Sequence, residues 1–160
     1  MFIMRRHFFG HFFTAEKLMA ISVLVALLAI AFFLRFWNIE HLPAGLYPDE
    51  SMNGVDAIRA NDTGNYQLFY PNNSGREGLF INLQALALLL FGANITALKL
   101  WSAIFGTATV LGIYLLAKEL WHKRGVALFS AFLLTFSYWG INFSRIGFRA
   151  IMVPFILSFS

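Results

Sequence analysis

Residues 78–117 read GLFINLQALALLLFGANITALKLWSAIFGTATVLGIYLLA, and Lys99 is the only formally charged residue among them. A helix needs about 20 apolar residues to cross a hydrocarbon core of about 30 Å. The apolar run on each side of Lys99 is long enough for one crossing. We therefore predict two membrane-spanning helices here, over residues 78–98 and 100–117.

Similar apolar runs lie on both sides of this stretch. We predict further spans over about residues 18–37 and 125–144, and the start of a fifth span at 150–160, where the sequence is still apolar at its last residue. This ending favours the N-terminal part of one larger transmembrane domain that occupies residues 1–160. A short natural protein that ends in an interfacial helix is the alternative.

The overall composition is that of a membrane protein. Apolar residues make up 59% of the chain and charged residues 12%, about half the charged share of a soluble domain, which excludes a soluble globule and a disordered chain. The net charge of +4 does not indicate nucleic acid as a partner, because the 12 Lys and Arg flank apolar runs instead of forming one stripe. We predict an all-α membrane protein, a multi-pass helical bundle whose long extracytoplasmic first loop carries short interfacial helices.

Small residues spaced four apart indicate that the later helices pack closely in a bundle. The pairs are Ser102 with Gly106, Ala108 with Gly112, and Ala127 with Ala131.

The orientation rests on the basic N-terminal segment, because Lys and Arg are enriched on the cytoplasmic side of membrane proteins. Arg5, Arg6 and Lys17 precede the first span, which favours an uncleaved anchor in the plasma (inner) membrane with a cytoplasmic N-terminus. Strict counting of four spans then places Arg145 and Arg149 on the cytoplasmic face. They would face the other side if residues 125–144 formed a re-entrant or broken pair.

The first loop, residues 38–77, is far longer than the usual connection between bundle helices. Its aromatic and apolar residues suit the membrane interface. Proline and glycine break the chain before Asp49, where a short interfacial helix is expected to start. At 100° per residue its polar and apolar residues fall on opposite sides, and we expect the polar face (Asp49, Asn53, Asp56) toward water and the other face (Met52, Val55, Ile58) toward lipid. A second short helix would account for the rest of the loop.

Two readings of the charged residues in this loop stay open. Asp49 and Glu50 can serve as helix caps, with Arg76 and Glu77 as interface flanking charges. Alternatively, a carboxylate of this acidic pair acts as a general base while Arg76 holds a phosphate. No cofactor is identified; Asp49, Glu50 and Asp56 could hold a divalent cation, whereas the four histidines show no metal-ligand spacing.

An ordered series of segments resembles one family. These are LPAGLYPDES at 42–51, NGVDA at 53–57, GREGLF at 75–80, ALKLWSAIFG at 97–106 and FSRIGFR at 143–149. The series resembles the bacterial relatives of the protein O-mannosyltransferases, a membrane superfamily of glycosyltransferases that use polyprenyl-phosphate sugars and that includes the aminoarabinose transferases of lipid A. The similarity runs from about residue 20 to the end.

The resemblance implies a bundle of many helices with its active site on the periplasmic or lumenal face, built partly from the first loop. By motif position it implies Asp49 as the catalytic base, with Glu50 as its acidic neighbour. Arg76 and Glu77 match a charged pair at the mouth of the second helix, although the family often has Pro where this chain has Gly78.

The function implied is transfer of a sugar from a polyprenyl-phosphate donor to a hydroxyl acceptor on a protein, lipid or polymer, with membrane lipid as a further partner. On this hypothesis Arg76 stabilises the departing phosphate, Glu77 holds Arg76, and Glu50 orients the acceptor. The remaining candidates for substrate binding are Asp56, Arg145 and Arg149. We expect this chain alone to be inactive, because later helices of the family would complete the donor pocket.

The rival class is a non-catalytic membrane protein, such as a transporter fragment or an interaction scaffold. Transporters carry ionisable groups or broken helices near the membrane midplane. Here nine of the 20 charged residues lie between Arg35 and Glu77, which favours chemistry at a membrane surface.

Overall fold

A computed structural model describes residues 15–160 of the chain. The tail residues Arg5, Arg6, His7 and His11 lie outside the described residues. In chain order the elements are α1 (Ala15–Phe36), α2 (Pro48–Thr63), β1 (Phe69–Tyr70), β2 (Arg76–Glu77), α3 (Gly78–Phe91), α4 (Ile95–Trp121), α5 (Arg124–Thr135), α6 (Tyr138–Arg145), a 3-10 turn (Arg149–Ile151) and α7 (Met152–Phe159). The prediction of an all-α membrane protein is confirmed.

Two helices, α1 and α4, are individually long and apolar enough to cross a membrane. The helices α5 and α6 meet at a bend of 57° and pass the same test as one broken span. The described residues therefore hold two full-length candidate spans, or three if the bent pair crosses as one.

The structure divides residues 78–117 differently from the sequence prediction. Helix α3 has 14 residues and is too short to span, whereas α4 has 27 residues and runs straight through Lys99. The break lies at Gly92, which has a φ of 83°, and at Asn94, whose Oδ1 accepts a hydrogen bond from the Ala97 amide at 2.7 Å. A helix cap and a glycine end helices, whereas a single lysine does not.

The bundle core lies where α1, α4 and α5 pack together. Leu27 and Ala31 of α1 cluster with Val110 and Tyr114 of α4 and with alanines of α5. The predicted small residues lie where helices approach closely: Gly106 faces Ser144 of α6, Gly112 faces Ser158 of α7, and Ala127 and Ala131 of α5 lie in the core. Of the predicted pairs, Ser102, Gly106, Gly112, Ala127 and Ala131 are buried and Ala108 is half-buried. Residues 39 and 99 are in contact, as are residues 35 and 106, so α1 and α4 run antiparallel.

Two buried arginines brace the helix ends in this bundle. Arg145 donates to backbone carbonyl oxygens at the C-terminal end of α1 and just beyond it, at distances between 2.7 and 3.3 Å (Leu34, Trp37, Asn38, Leu42). Arg35 donates to the carbonyl oxygen of Leu134, near the end of α5, and to Ser144 Oγ. Each guanidinium therefore satisfies carbonyls that a helix end leaves without an intrahelical partner.

Residues Arg145 and Arg149 lie at the same end of the bundle as the first loop. We call this end the α2 end and the end near Trp121 the opposite end. Because α3 does not span, only α4 and the bent pair lie between the loop and Arg145. The prediction that strict counting of four spans places Arg145 and Arg149 on the face away from the loop is therefore wrong. They lie at the loop end, as the re-entrant or broken-pair alternative expected, but the cause is the short α3 and not a pair that turns back to the same face.

The first loop contains one helix and a small hairpin. Helix α2 starts at Pro48 and ends before Gly64, which has a φ of 68°. The expected second helix in the loop is instead the hairpin of β1 and β2, which pair Phe69 with Glu77 and Tyr70 with Arg76.

The polar face of α2 is buried and does not face water as predicted, whereas the apolar face is exposed, as a face toward lipid would be. Asn53 and Asp56 are buried, whereas Met52, Val55 and Ile58 are exposed. The polar side chains turn inward because the hairpin supplies partners for them, notably Asn72 and Arg76. The apolar side is left to face the surroundings of the protein.

Candidate active site

Asp49 lies on the first turn of α2 and is partly exposed. Its Oδ1 accepts a hydrogen bond from Nδ2 of Asn73 at 2.9 Å. Its other oxygen has no hydrogen-bond partner among residues 15–160. The carboxylate is thus oriented by one neighbour and is open on its other side.

Glu50, the next residue, is almost fully buried at 1% exposure. Its Oε2 accepts a hydrogen bond from the Tyr47 amide at 3.3 Å, which caps the helix start. Burial raises the pKa of this carboxyl above its ordinary value, although nearby Lys99 and the backbone of Tyr47 and Gly147 partly oppose the shift. The sequence prediction that Glu50 orients an acceptor stays a prediction, and the observed contacts are internal.

Lys99 lies near Glu50 without forming an ion pair with it. Lys99 Nζ lies 3.4 Å from the carbonyl oxygen of Ile39 and 3.5 Å from that of Pro43. A Cβ added at Gly147 would lie 2.8 Å from Glu50 Oε1. This buried centre therefore joins four separate segments: the loop after α1, the start of α2, the start of α4 and the turn after α6.

Arg76 is buried and its guanidinium faces α2. It is ion-paired with Asp56, and it donates to Asn53 Oδ1 at 2.6 Å and to Asn72 Oδ1 at 2.7 Å. No ion pair joins Arg76 to Asp49 within residues 15–160. Arg76 and Asp56, both predicted to bind substrate, are thus placed where they fasten the hairpin to α2.

Glu77 pairs with Arg149 and not with Arg76. Arg149 Nε lies 3.0 Å from Glu77 Oε2, and both side chains are exposed. The prediction that Glu77 holds Arg76 is therefore wrong, because neighbouring residues in a β-strand point to opposite faces.

Arg149 lies beside an apolar cavity. Its two terminal nitrogens have no partner in the described part of the chain. A cavity of about 310 Å³ adjoins it, lined by Glu77, Leu79, Phe80, Ala150, Met152 and Val153. The start of α2 lies nearby, since the rings of Tyr47 and Phe148 make an edge contact with centroids 5.6 Å apart.

The acidic residues of the loop do not converge on a cation site. Glu50 and Asp56 are occupied by protein partners, and Asp49 lies apart from them. No group of three potential metal ligands occurs within residues 15–160.

The sequence prediction missed Lys99, Gly147 and Asn73 as members of this region. Lys99 carried a usable signal, since a lone charge inside an apolar run needs a polar partner. Asn73 and Gly147 carried none, because turn-forming asparagine and glycine are common in any loop.

With this geometry described, the comparisons with known proteins identify the family. The sequence profile of the family described as dolichyl-phosphate-mannose-protein mannosyltransferase matches residues 79–159. The chain belongs to this family. Its membership supports a glycosyltransferase-like function in a membrane, with a sugar donor and an acceptor.

The mannosyltransferase family match covers α3 to α7 and includes Lys99, Arg145, Gly147 and Arg149. It begins after the hairpin, so Asp49 and Glu50 precede it. No curated protein and no solved structure gives a significant match to the chain.

Proposed function

We propose that this chain forms part of a glycosyltransferase that moves a sugar from a polyprenyl-phosphate donor to a hydroxyl acceptor at the extracytoplasmic membrane face. The observation that carries this proposal is the open carboxylate of Asp49 at the same end of the bundle as the free terminal nitrogens of Arg149. A base and an anion-binding group are the two functions that such a transfer needs.

The proposed step uses Asp49 as the general base. Asp49 accepts the proton of the acceptor hydroxyl, whose oxygen forms a bond to the anomeric carbon of the donor sugar. The bond between that carbon and the phosphate oxygen breaks, and the polyprenyl phosphate leaves with the bonding electrons. Negative charge grows on this phosphate as the bond breaks, so a guanidinium placed there acts mainly in the transition state.

Arg149 is the better candidate than Arg76 for this phosphate. Arg76 is buried and already paired with Asp56, whereas Arg149 presents two free nitrogens that suit bidentate phosphate binding. The apolar cavity next to Arg149 would take the first part of the lipid chain. Arg145 serves the fold through its helix-end contacts and positions the turn that carries Arg149.

The distribution of basic residues supports the proposed orientation. Four basic residues at the opposite end are exposed (Lys17, Lys118, Lys123, Arg124). At the α2 end Arg59 and Arg149 are exposed, the latter paired with Glu77, whereas Lys99 and Arg145 are buried on protein carbonyls. Exposed Lys and Arg favour the cytoplasmic side. The α2 end is thus proposed to be extracytoplasmic in the plasma (inner) membrane, with a cytoplasmic N-terminus.

Substitution of Asp49 tests the mechanism. In membranes that contain the whole enzyme, Asp49→Asn should lower the turnover with a polyprenyl-phosphate sugar by about 100-fold or more, as expected for a lost general base. The matched control is Asp62→Asn, an exposed residue of the same helix, which should keep the wild-type rate. An unchanged rate in Asp49→Asn would remove Asp49 from the mechanism.

A further inference from the structure

A polar cavity of about 310 Å³ lies between the second half of α2 and the hairpin. It is lined by Asp56, Arg59, Ala60, Thr63, Asn65, Gln67, Tyr70, Pro71 and Asn72. Cavities of this size are at the lower end of those that bind small molecules. The step proposed above uses none of these residues.

The walls of this cavity are held in place by hydrogen bonds. Tyr70 is buried, and its hydroxyl donates to Asn82 Oδ1 at 2.8 Å. Asn82 Nδ2 in turn donates to the carbonyl oxygen of Gln67 at 3.0 Å. Asn72 is fixed between Asp56 and Arg76, so the cavity is formed before any ligand arrives.

The side chains at the cavity mouth are free to bind a ligand. The side-chain amides of Asn65 and Gln67 make no hydrogen bond to any described residue. Arg59 is largely exposed, at 68%, and its nearest carboxylate oxygen lies 4.0 Å away on Asp56. Uncommitted amide groups thus lie beside a buried aromatic residue and a proline.

This combination matches a carbohydrate. A sugar hydroxyl both donates and accepts a hydrogen bond, and a side-chain amide offers both a donor and an acceptor in fixed geometry. The C–H face of a sugar ring needs an apolar wall, which Tyr70 and Pro71 provide.

The cavity lies along the same side of α2 as Asp49. Asp49 and Asp56 are seven residues apart, which is about 10 Å along a helix and nearly two full turns. The turn of Asn72 and Asn73 contacts both acids. A hydroxyl-rich acceptor could therefore reach from the cavity to Asp49 across this turn.

We propose that this cavity is an acceptor-side carbohydrate subsite, in which Asn65 and Gln67 bind sugar hydroxyls. The inference rests on the proposed function for the role of acceptor, while sugar binding itself can be measured without any transfer.

Saturation-transfer NMR on the protein in lipid nanodiscs tests the subsite. The probes are the methyl α-glycosides of mannose, glucose and galactose, together with a blocked Ala-Thr-Ala peptide. At least one glycoside should bind, and Asn65→Ala or Gln67→Ala should each weaken its binding by about three- to tenfold, the effect of one lost hydrogen bond. Asp62→Ala, next to the cavity but not lining it, is the matched control and should bind as the wild type does.

Three results would overturn the subsite. The first is that no glycoside binds at about 50 mM, a concentration far above the working range of a useful site. The others are that Asn65→Ala and Gln67→Ala leave glycoside binding unchanged, or that only the peptide binds. Gln67→Leu, which keeps the size of the side chain, provides a second variant if Gln67→Ala unfolds. Asp49→Asn should retain glycoside binding. If sugar transfer requires Asp49 but no glycoside binds, the subsite alone is refuted. If a glycoside binds but transfer does not require Asp49, the proposed function alone is refuted.

Discussion

The two neighbouring acids at the start of α2 have opposite surroundings. Asp49 is partly exposed and bonded to Asn73, whereas Glu50 is buried among the loop after α1, α4 and the turn after α6. Adjacent residues of a helix point about 100° apart, so one acid can face water while the other faces the bundle. The sequence predicts a functional role for the acidic pair but does not indicate which of the two side chains is exposed to water, because the residues that pack against Glu50 are distant in the chain.

Burial of Glu50 should make the stability of the protein depend on pH. Its folded-state pKa is raised. At pH values between the ordinary Glu pKa of about 4.3 and this raised pKa, Glu50 is therefore deprotonated in the unfolded state but still protonated in the folded state. The contribution of Glu50 to stability is then largest at low pH and declines as the pH rises through this window. Glu50→Gln, which cannot ionise, should gain stability relative to the wild type as the pH increases.

Chemical unfolding of both proteins in detergent from about pH 4 to pH 8 measures this difference. Lys99, which faces Glu50 from α4, stays the same in both proteins. The compared quantity is the free energy of unfolding of Glu50→Gln minus that of the wild type. If this quantity stayed constant or fell with rising pH, the result would contradict a buried carboxyl with a raised pKa.

At the level of elements, apolar runs predict that helices exist but not where each one ends. The N-terminal span and the packing of small residues in α4 were predictable from the sequence alone. The break before α4 depends on Gly92 and Asn94, which are weaker signals than the charge of Lys99. The bend between α5 and α6 is compatible with the sequence only because Arg35 binds the Leu134 carbonyl, a tertiary contact that no local pattern reports.

Close packing at Gly106 gives a test of the bundle. A Cβ there would clash with Ser144 Oγ, so Gly106→Ala should lower the free energy of unfolding by about 1–3 kcal/mol through overpacking. Gly125→Ala is the control, because no atom of residues 15–160 lies within 4 Å of its added Cβ, and it should be neutral or stabilising by up to about 1 kcal/mol.

Thermal unfolding in detergent compares the two glycine variants. Equal unfolding temperatures for Gly106→Ala and Gly125→Ala would show that α4 and α6 do not approach each other at Gly106 as described.

For the whole molecule, the number of crossings decides which residues can share an active site. If α3 spanned the membrane, Arg149 would lie on the face away from Asp49. The short α3 lies against α2 and the start of α4 instead, which brings the two ends of the candidate site together. Sequence reasoning placed Asp49 in the loop, but it chose Arg76 as the phosphate-binding group, because Arg149, the group proposed above, is 100 residues away from Asp49 along the chain.

Cysteine labelling tests this topology directly, because the chain contains no cysteine. Leu68→Cys and Ala150→Cys, both exposed, should react with a membrane-impermeant maleimide added to intact cells. Lys123→Cys at the opposite end should react only after permeabilisation.

Two other labelling patterns would be informative. If Ala150→Cys reacted only after permeabilisation, like Lys123→Cys, an odd number of crossings would separate Asp49 from Arg149. Lys123→Cys reacting alone in intact cells would mean that the bundle has the reverse orientation and that the proposed site faces the cytosol.

The arginine brace also has a consequence for biosynthesis. The carbonyl of Leu34 and the guanidinium of Arg145 that binds it are 111 residues apart. At about 5–20 residues per second, a ribosome needs roughly 5–20 s to make the intervening chain. Helix α1 therefore enters the bilayer well before Arg145, which binds the carbonyls at its end, has been synthesised. Until then, water at the membrane boundary must hydrate those carbonyls, and the first helix is completed only when the sixth arrives.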